Sequence, residues 1–283
     1  MRVIRPLGRE VERICARLND SDRVLVALDY DGTLAPIAET PEAARLPSRT
    51  ADVLSELAAS DRFVVAVVSG RSLADLKRRM ALDVVHVGNH GLEIEGAGVS
   101  FVHPDAEAAR EAIDQACWDL TAAFESVPPV TVERKDLSAT VHYRQAPADL
   151  TTWIQATVNA TVRPYLSKIF VGPALEACEI RPRLQWNKGS AVRYLFGKID
   201  SANPALVCAG DDATDEDMFD ILRWEISIKV GSPRNTRARF YVPGVPELLE
   251  FLTVLAKENR TATRDSSHAF CGIPSRSPAL VDS

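Results

Sequence analysis

The sequence predicts an α/β fold: a Rossmann-like core whose parallel sheet is flanked by helices, with an α+β segment inserted into it. Three observations support this class. Unbroken apolar runs, such as 24–28 and 63–68, are typical of parallel strands buried on both faces. Segments with apolar residues at helical spacing alternate with these runs over about the first hundred residues and again after residue 187. Between these parts, residues 104–181 show a helix–hairpin–helix–strand pattern.

The predicted core begins with a short helix at 8–18 and closes with a helix at 245–259. Ser48 is a candidate cap for the second helix. The other core elements are, in order, strand 24–28, helix 48–59, strand 63–68, helix 72–80, a strand–turn–strand unit at 84–96, helix 187–199, strand 205–210, helix 214–224 and strand 226–231.

The inserted segment has its own predicted elements, which are helix 105–126, two strands around a Lys-Asp turn within 130–144, helix 149–166 and strand 174–182. The end of the chain is rich in Ser, Thr, Pro and charge without sustained periodicity, which favours disorder. We therefore predict a discontinuous core of residues 1–103 and 182–256, an inserted α+β domain of residues 104–181, and a disordered tail of residues 257–283.

Composition indicates an ordinary globular protein and argues against some classes of function. The 283 residues suit one large domain or two smaller ones, and 46% are hydrophobic and 25% charged. The net charge of −6 does not suit a nucleic-acid-binding protein, which usually has a basic excess. An anionic small substrate remains compatible, because charge within a pocket matters more than the total.

Cysteine usage and hydropathy indicate a reducing, aqueous compartment. The five cysteines are odd in number and have no CxxC spacing, which argues against a disulfide framework or a zinc site. Residues 1–20 lack the continuous apolar region of a signal peptide, and no apolar run approaches the roughly 20 residues needed to span a bilayer. We expect a cytoplasmic monomer with no membrane or nucleic-acid partner.

Two aspartates follow the first buried strand. Asp29 and Asp31 stand at the carboxyl end of 24–28, where open α/β sheets bind ligands, and their spacing places both side chains on one side of an extended chain. They could form a turn, bind a cation or attack a substrate, and an isolated Asp-Gly pair is more often a turn. A calcium loop is unlike this segment, because the later oxygen ligands and the glutamate at loop position 12 are missing.

Ser69 and Lys188 are candidates for binding an anion. Ser69 and Gly70 follow an apolar strand and precede a helix, so a hydroxyl, a backbone N–H and a helix N-terminus are available to a phosphate. Lys188 precedes a helix, where the helix dipole favours anions, and a bound phosphate would remove this conflict. Taken alone, each residue also has a simpler interpretation, Ser69 as a helix cap and Lys188 as an exposed lysine.

Acidic residues crowd the segment that follows strand 205–210. The acids of 215–217 suit the first turn of a helix. Asp211 and Asp212 are not explained in this way, because two carboxylates so close repel each other unless a cation or a proton intervenes. Mg²⁺, bound by one or two carboxylates together with phosphate oxygens and water, fits this arrangement.

The order of these motifs resembles that of the haloacid dehalogenase superfamily. Its four motifs stand here as DYDGT, VVSGR, the lysine of NKGS and GDDATDE. The further segments VGNHGLEIEG, VERKDLSATVHYR and EIRP make the chain similar to the trehalose-6-phosphate phosphatase family over residues 24 to about 251. The inserted segment lies where that family has its C2-type cap, so the resemblance implies a haloacid dehalogenase core with a cap.

The resemblance also implies a role for each candidate residue. Asp29 would be the nucleophile that forms a phosphoaspartate, and Asp31 would be the general acid and then the general base. Mg²⁺ would be held by Asp29, the backbone carbonyl of Asp31, and Asp211. The phosphate-binding residues would be Thr33, Ser69, Gly70 and Lys188, with Asp212 and Asp215 in supporting roles. The sugar-binding residues would be Glu133, Lys135, Arg144 and Glu179 from the cap, and Arg71, Asn89 and His90 from the core edge.

The function implied by the resemblance is Mg²⁺-dependent hydrolysis of trehalose 6-phosphate to trehalose and phosphate. The catalytic motifs do not separate this substrate from sucrose phosphate, a glucosylglycerol phosphate or a pseudo-disaccharide phosphate such as validoxylamine phosphate. A function from another class, an inactive regulatory module of a sugar-phosphate synthase, predicts the loss of an acid or of the lysine. Every motif position is filled in this sequence.

Overall fold

A computed structural model describes residues 4–268 except for Glu39, Leu175, Asp220 and 222–224, and it leaves the side chains of Pro41 and 259–268 undescribed. The first half of the chain contains β1 (Arg5–Pro6), α1 (Val11–Asn19), β2 (Arg23–Asp29), α2 (Ser48–Ala58), β3 (Phe63–Val68), α3 (Leu73–Arg79), β4 (Val85–Gly88), β5 (Glu93–Gly96), β6 (Val99–Val102) and α4 (Pro104–Phe124). The second half contains β7 (Thr131–Arg134), β8 (Ala139–His142), α5 (Thr151–Val162), β9 (Ile169–Ala174), β10 (Ala177–Pro182), α6 (Lys188–Phe196), β11 (Pro204–Gly210), β12 (Ile226–Val230), β13 (Phe240–Val242) and α7 (Val245–His268).

The core contains a nine-stranded sheet in the order β1-β13-β12-β11-β2-β3-β4-β5-β6. Pairing is parallel from β1 to β4 and antiparallel at β5 and β6. This confirms the predicted α/β class with a mostly parallel sheet. The central strand β2 is buried on both faces: Val24, Val26 and Leu28 pack among residues of α1, α2, α3 and α7, whereas Leu25 and Ala27 pack against residues of α6.

A second, antiparallel sheet of four strands has the order β7-β8-β10-β9. We call this sheet and helices α4 and α5 the cap (residues 104–182). One face of the cap sheet buries Val141 and Ile180 against Ile113 of α4 and Ile154 of α5. Because side chains alternate along a strand, the polar residues between these apolar ones point to the other face. That face lines a cavity shared with the core.

Strand β9 is absent from the sequence prediction. Its sequence, IFVGPA, contains a glycine and a proline, both of which are unfavourable within strands. Proline is tolerated on an edge strand, and β9 forms the edge of the cap sheet, where Pro173 is paired with Cys178 of β10. The short strands β1, β6 and β13 were not predicted either.

Two predicted helices differ from the structure. The helix predicted at 214–224 is a 3₁₀ turn over Thr214–Asp217, and the end of the predicted segment lies outside the described residues. The last helix, predicted to end at residue 259, continues to His268, which corrects the predicted disorder for 257–268. The remaining part of the predicted tail, 269–283, lies outside the described residues.

Candidate active site

The ends of three adjacent parallel strands bring the predicted catalytic residues together. β2 ends at Asp29, and Ser69 and Asp211 directly follow β3 and β11. β2 is paired in parallel with both β3 and β11, so the carboxyl ends of all three strands meet at one edge. This is the position where open α/β sheets bind ligands.

Lys188 joins two carboxylates at the centre of the site. Its Nζ donates to Oδ1 of Asp29 at 2.8 Å and to Oδ1 of Asp215 at 2.7 Å, and all three side chains are buried. Burial lowers the pKa of Lys188, but the two carboxylates more than offset this and raise it, so the ammonium stays charged. Asn187 caps α6 by accepting the backbone N–H of Ser190 at 2.9 Å, which fixes Lys188 at the helix start.

Three carboxylates at this edge form a set that suits a divalent cation. Oxygen atoms of Asp29, Asp211 and Asp215 lie within 4.8 Å of one another. Burial, with the neighbouring carboxylates, raises the pKa of Asp29 well above its ordinary value and that of Asp211 to about 6. A bound cation would remove this repulsion, and an all-oxygen ligand set suits Mg²⁺. The carboxylate of Asp211 packs directly on Gly32, where a Cβ would lie 2.2 Å from its Oδ2.

Asp215, predicted in a supporting role, contacts both Lys188 and the backbone of the acidic segment. Its Oδ1 binds Lys188, and its Oδ2 accepts the backbone N–H groups of Asp211 and Asp212 at 2.9 and 3.0 Å. Asp212 in turn accepts the N–H and the hydroxyl of Thr214, both at 2.7 Å. These side-chain bonds to the backbone compete with regular helix formation, which explains the 3₁₀ turn. They also fix the orientation of the Asp211 backbone.

Arg71 is bound to the predicted general acid. Its Nε and Nη2 donate to the two carboxylate oxygens of Asp31 at 2.7 and 2.6 Å, and its Nη1 donates to Asp75 at 2.9 Å. Burial alone would lower the pKa of Arg71, but the two carboxylates raise it. Arg71 lines the cavity, and its guanidinium orients the carboxylate of Asp31. Its predicted contact with the sugar stays a prediction.

The site opens into a cavity of about 710 Å³ between the core and the cap, which lies within the usual size range of small-molecule sites. The predicted residues on its wall are Asp29, Asp31, Ser69, Gly70, Arg71, His90, Glu133, Lys135, Arg144, Glu179, Lys188, Asp211 and Asp212. Thr33 is fully buried beside the site, where its hydroxyl donates to Asp211 at 3.3 Å.

His142 is a cavity residue that was not assigned from the sequence. Its Nε2 lies 2.8 Å from Oε2 of Glu133, and both side chains point into the cavity from neighbouring strands β7 and β8. Burial raises the pKa of Glu133, but the hydrogen bond from His142 and the nearby positive charge of Lys135 outweigh burial and lower it. The sequence does indicate this position, because His142 stands two residues before Arg144 and residues at this spacing on a strand share one face.

Lys135 and Arg144 bind carboxylates at different depths of the cavity. The Nζ of Lys135 lies 3.7 Å from Glu133 and 3.4 Å from the backbone oxygen of Gly70, so this lysine connects the cap with the core. The Nε of Arg144 lies 3.1 Å from Glu176, and both side chains are exposed. A surface ion pair of this kind contributes little to stability.

Asn89 does not reach the cavity, which differs from its predicted contact with a sugar. It is fully buried, and its amide group is bonded to Glu93, to the backbone oxygen of Lys135 and to the hydroxyl of Ser138. These hydrogen bonds hold the amide between β5 and the cap hairpin, away from the cavity.

His90 does line the cavity and contacts a predicted sugar-binding residue. Its Nε2 lies 3.1 Å from Oε1 of Glu179, while its buried Nδ1 has no hydrogen-bond partner among the residues that the structure describes. Burial lowers the pKa of His90 to about 4 despite the opposing charge of Glu179. The imidazole is therefore neutral at pH 7.

This lowered pKa predicts a pH dependence of stability. An unfolded histidine takes up its proton at pH ~6.5, whereas folded His90 takes it up at about 4. Between these values the unfolded state binds more protons, so the free energy of unfolding falls on acidification, by about 1.6 kcal/mol from pH 6.5 to pH 5.

Urea unfolding of wild type and His90→Asn at both pH values measures this difference. Asparagine tolerates the positive φ of this position and does not titrate. We expect a flatter pH dependence in the variant, and equal dependence in the two proteins would contradict the assignment.

The fold and the site together define a protein of the haloacid dehalogenase type with an inserted cap. The sequence profile of the trehalose-phosphatase family matches residues 27–244, and the chain belongs to this family. It is 38% identical over 203 residues to the trehalose-phosphate phosphatase of Mycolicibacterium paratuberculosis, a match that covers 70% of this chain and 51% of that protein. The chain thus spans about half the length of this relative.

Solved structures agree with this family assignment. A trehalose-6-phosphate phosphatase related protein is 27% identical, with a TM-score of 0.75 over 84% of this chain and 99% of the other. The C-terminal domain of trehalose-6-phosphate phosphatase from C. albicans is 25% identical, with a TM-score of 0.73 over 90% and 99% of the two chains. No helix in the described part of the chain combines the length and the apolar character needed to cross a membrane.

Proposed function

We propose that this chain hydrolyses trehalose 6-phosphate to trehalose and phosphate through a phosphoaspartate intermediate on Asp29. One observation carries the proposal: Asp29 and Lys188 line the same cavity as the cap residues Glu133, Lys135 and Glu179. Phosphate chemistry and recognition of a polar molecule are thereby combined in one space. Membership of the trehalose-phosphatase family supports trehalose as the leaving group.

The core residues would act on the phosphate. Asp29 attacks phosphorus, and the leaving sugar oxygen departs on the opposite side. The ammonium of Lys188, 2.8 Å from Asp29, neutralises phosphate oxygens next to the nucleophile. The Oγ of Ser69 accepts the backbone N–H of Arg71 at 3.2 Å, which leaves its own proton free for a phosphate oxygen.

Asp31 would act as the general acid and then as the general base. It protonates the leaving oxygen and later removes a proton from the water that hydrolyses the aspartyl phosphate. Both of its carboxylate oxygens accept a hydrogen bond from Arg71, so contact of either oxygen with the leaving group requires that Asp31 loosen at least one of these bonds. Arg71 remains held by Asp75 during this step.

The carboxylates of Asp29, Asp211 and Asp215 and the backbone carbonyl of Asp31 would hold Mg²⁺. When bound, the ion supplies positive charge that lets the anionic nucleophile approach a phosphate dianion. The turn around Asp212 keeps the backbone of this ligand set in place.

The cap would select the sugar. Glu133, Lys135, Arg144 and Glu179 offer hydrogen-bonding groups to sugar hydroxyls, and a ligand that leaves such polar groups on the cavity wall unpaired is disfavoured. Trehalose 6-phosphate is therefore preferred over sucrose phosphate, glucosylglycerol phosphate and validoxylamine phosphate, which share the phosphate but present different hydroxyls.

Phosphate release from these four compounds, at equal concentrations with Mg²⁺, tests the proposal. We expect the highest kcat/KM for trehalose 6-phosphate. A higher value for another compound would make that compound the preferred substrate and leave the proposed phosphatase reaction unchanged. No release from any of them would favour a regulatory module instead.

Removal of the metal is expected to abolish phosphate release, because the crowded carboxylates then repel the phosphate. Dialysis against EDTA followed by return of Mg²⁺ should remove and restore activity. Asp211→Asn keeps the shape of a ligand but removes its charge, so it should raise the Mg²⁺ concentration for half-maximal activity by about tenfold or more. Full activity of the chelated wild-type protein would contradict the metal requirement.

We also propose that the protein acts as a monomer in the cytoplasm. Cys15, Cys117, Cys178 and Cys208 are buried and free, which suits a reducing compartment. Cys271 lies outside the described residues. Non-reducing electrophoresis and light scattering of the purified chain test these two points.

A further inference from the structure

The turn formed by Asn89, His90 and Gly91 follows β4 and contacts three functional regions of the molecule. All three residues have positive φ, of 48°, 58° and 102°. Two adjacent non-glycine residues in the left-handed region are unfavourable, and such a conformation persists only where surrounding contacts impose it. This turn has such contacts with each of the three regions.

The first region is the phosphate-binding loop. The backbone N–H of Asn89 donates to the oxygen of Arg71 at 2.7 Å, and that of His90 donates to the oxygen of Ser69 at 2.9 Å. The His90 ring packs closely on the same loop, since a Cβ on Gly70 would lie 2.5 Å from its Cε1. A displacement of the turn would thus move the loop.

The second region is the start of α6, which holds Lys188. The indole Nε1 of Trp186 donates to the backbone oxygen of Gly91 at 2.7 Å. A Cβ on Gly91 would lie 2.9 Å from the oxygen of Asn187, so the turn packs directly on the residue that caps the helix. The turn consequently contacts both sources of the proposed phosphate ligands.

The third region is the hairpin of the cap that joins β7 and β8. The Nδ2 of Asn89 donates to the backbone oxygen of Lys135 at 2.8 Å, and its Oδ1 accepts the hydroxyl of Ser138 at 2.5 Å. The second hydrogen of the amide goes to Oε2 of Glu93 at 2.5 Å. Asn89 is fully buried and Ser138 nearly so, so water does not replace these bonds when they are lost.

We propose that Asn89 is a positioning residue that couples the sugar-recognition hairpin of the cap to the phosphate-binding loop of the core. This inference rests on the proposed function. The side chain of Asn89 sets where Lys135 stands, and its main chain sets where Ser69 and Arg71 stand. Correct placement of the sugar and correct placement of the phosphate are thereby made to depend on one residue that touches neither.

A merely structural role makes a different prediction. If Asn89 only stabilises the fold, its loss should lower the turnover of every phosphate ester by the same factor. If it positions the hairpin, its loss should affect a substrate that uses the cap more than one that does not. The ratio of kcat/KM for trehalose 6-phosphate to kcat/KM for p-nitrophenyl phosphate separates the two, because the aryl ester lacks the sugar hydroxyls.

The experiment measures this ratio in the full chain with Mg²⁺ for Asn89→Gly, Ser138→Ala and the double variant. Glycine adopts the positive φ without steric cost, so Asn89→Gly removes the side-chain bonds while keeping the turn. Ser227→Ala is the matched control: Ser227 is also a buried serine, and its Oγ accepts one hydrogen bond, from the backbone N–H of Arg239 at 3.2 Å, within the core.

We expect the ratio to fall about tenfold in Asn89→Gly and about threefold in Ser138→Ala, as lost buried hydrogen bonds imply. The double variant should match Asn89→Gly, because Ser138 acts through Asn89. Ser227→Ala should keep the wild-type ratio.

An unchanged ratio in both single variants, or fully independent effects in the double variant, would overturn the inference while the proposed function stands. A wild-type chain that is active on p-nitrophenyl phosphate but inactive on trehalose 6-phosphate would instead overturn the proposed function.

Discussion

Replacement of Asp29 by asparagine is expected to reduce phosphate release by at least about 10⁴-fold, because the amide cannot attack phosphorus. The fold should survive, since asparagine has nearly the same shape and retains an oxygen for the ammonium of Lys188, which lies 2.8 Å from Asp29 Oδ1. The substitution also removes one of several crowded carboxylates. Steady-state phosphate release and thermal unfolding of the same preparation measure the two expectations.

Asp31→Asn is the matched variant for this prediction, because it keeps the proposed nucleophile and removes the proposed proton donor. It should form the phosphoenzyme and hydrolyse it slowly, so acid-quenched protein should contain covalent phosphate. Asp29→Asn should contain none. Appreciable turnover by Asp29→Asn, or covalent phosphate on it, would show that another residue is the nucleophile.

Replacement of Lys188 by methionine is expected to lower both activity and stability. Its ammonium is the positive partner shared by Asp29 and Asp215, and its loss leaves these buried carboxylates without their bonded cation. Breaking a buried ion pair in this way costs about 3–5 kcal/mol. Loss of an electrostatic contact to the reacting phosphate lowers kcat by about 10²–10³-fold. Urea unfolding in EDTA gives the stability, and phosphate release in Mg²⁺ gives the activity.

A second substitution distinguishes charge from packing in this prediction. Adding Asp215→Asn to Lys188→Met removes one of the two buried carboxylates that lost their bonded ammonium, and it should restore part of the lost stability. Activity should not return, because the phosphate still lacks its lysine. A double variant as unstable as Lys188→Met alone would indicate that packing of the lysine stem, rather than its charge, stabilises this region.

The sequence was most informative where the chain order and strand ends determine the site. Asp29, Ser69 and Asp211 each follow an apolar run, and parallel pairing places the ends of such runs at one edge. This geometry requires no knowledge of side-chain contacts, and it predicted the location of the candidate site together with the α/β core.

The sequence was least informative where side chains of distant segments decide the outcome. Asn89 was predicted to contact a sugar because it stands at the core edge, yet its amide is used by Lys135 and Ser138 of the cap. His142 was overlooked because its contact with Glu133 depends on the register between β7 and β8. Neither relation is visible in local spacing or periodicity.

Predictions from local sequence preferences were also wrong where contacts specific to this fold outweigh those preferences. The acidic residues after β11 favour the start of a helix. The carboxylate of Asp215, however, accepts hydrogen bonds from the backbone N–H groups of Asp211 and Asp212. In the same way, Pro173 argues against a strand, although proline is tolerated in an edge strand such as β9.

The pairing of β2 with β11 has a consequence for how the protein is made. Leu28 lies beside Ala209, so the central strand β2, which can pair with β3 early, meets its other neighbour β11 only after the whole cap has been synthesised. The cap sheet, by contrast, is complete once Pro182 has left the ribosome. We therefore expect a chain truncated before residue 204 to contain the cap sheet but not Asp211 and Asp215, and the long-range strand pairing to be a late step in folding.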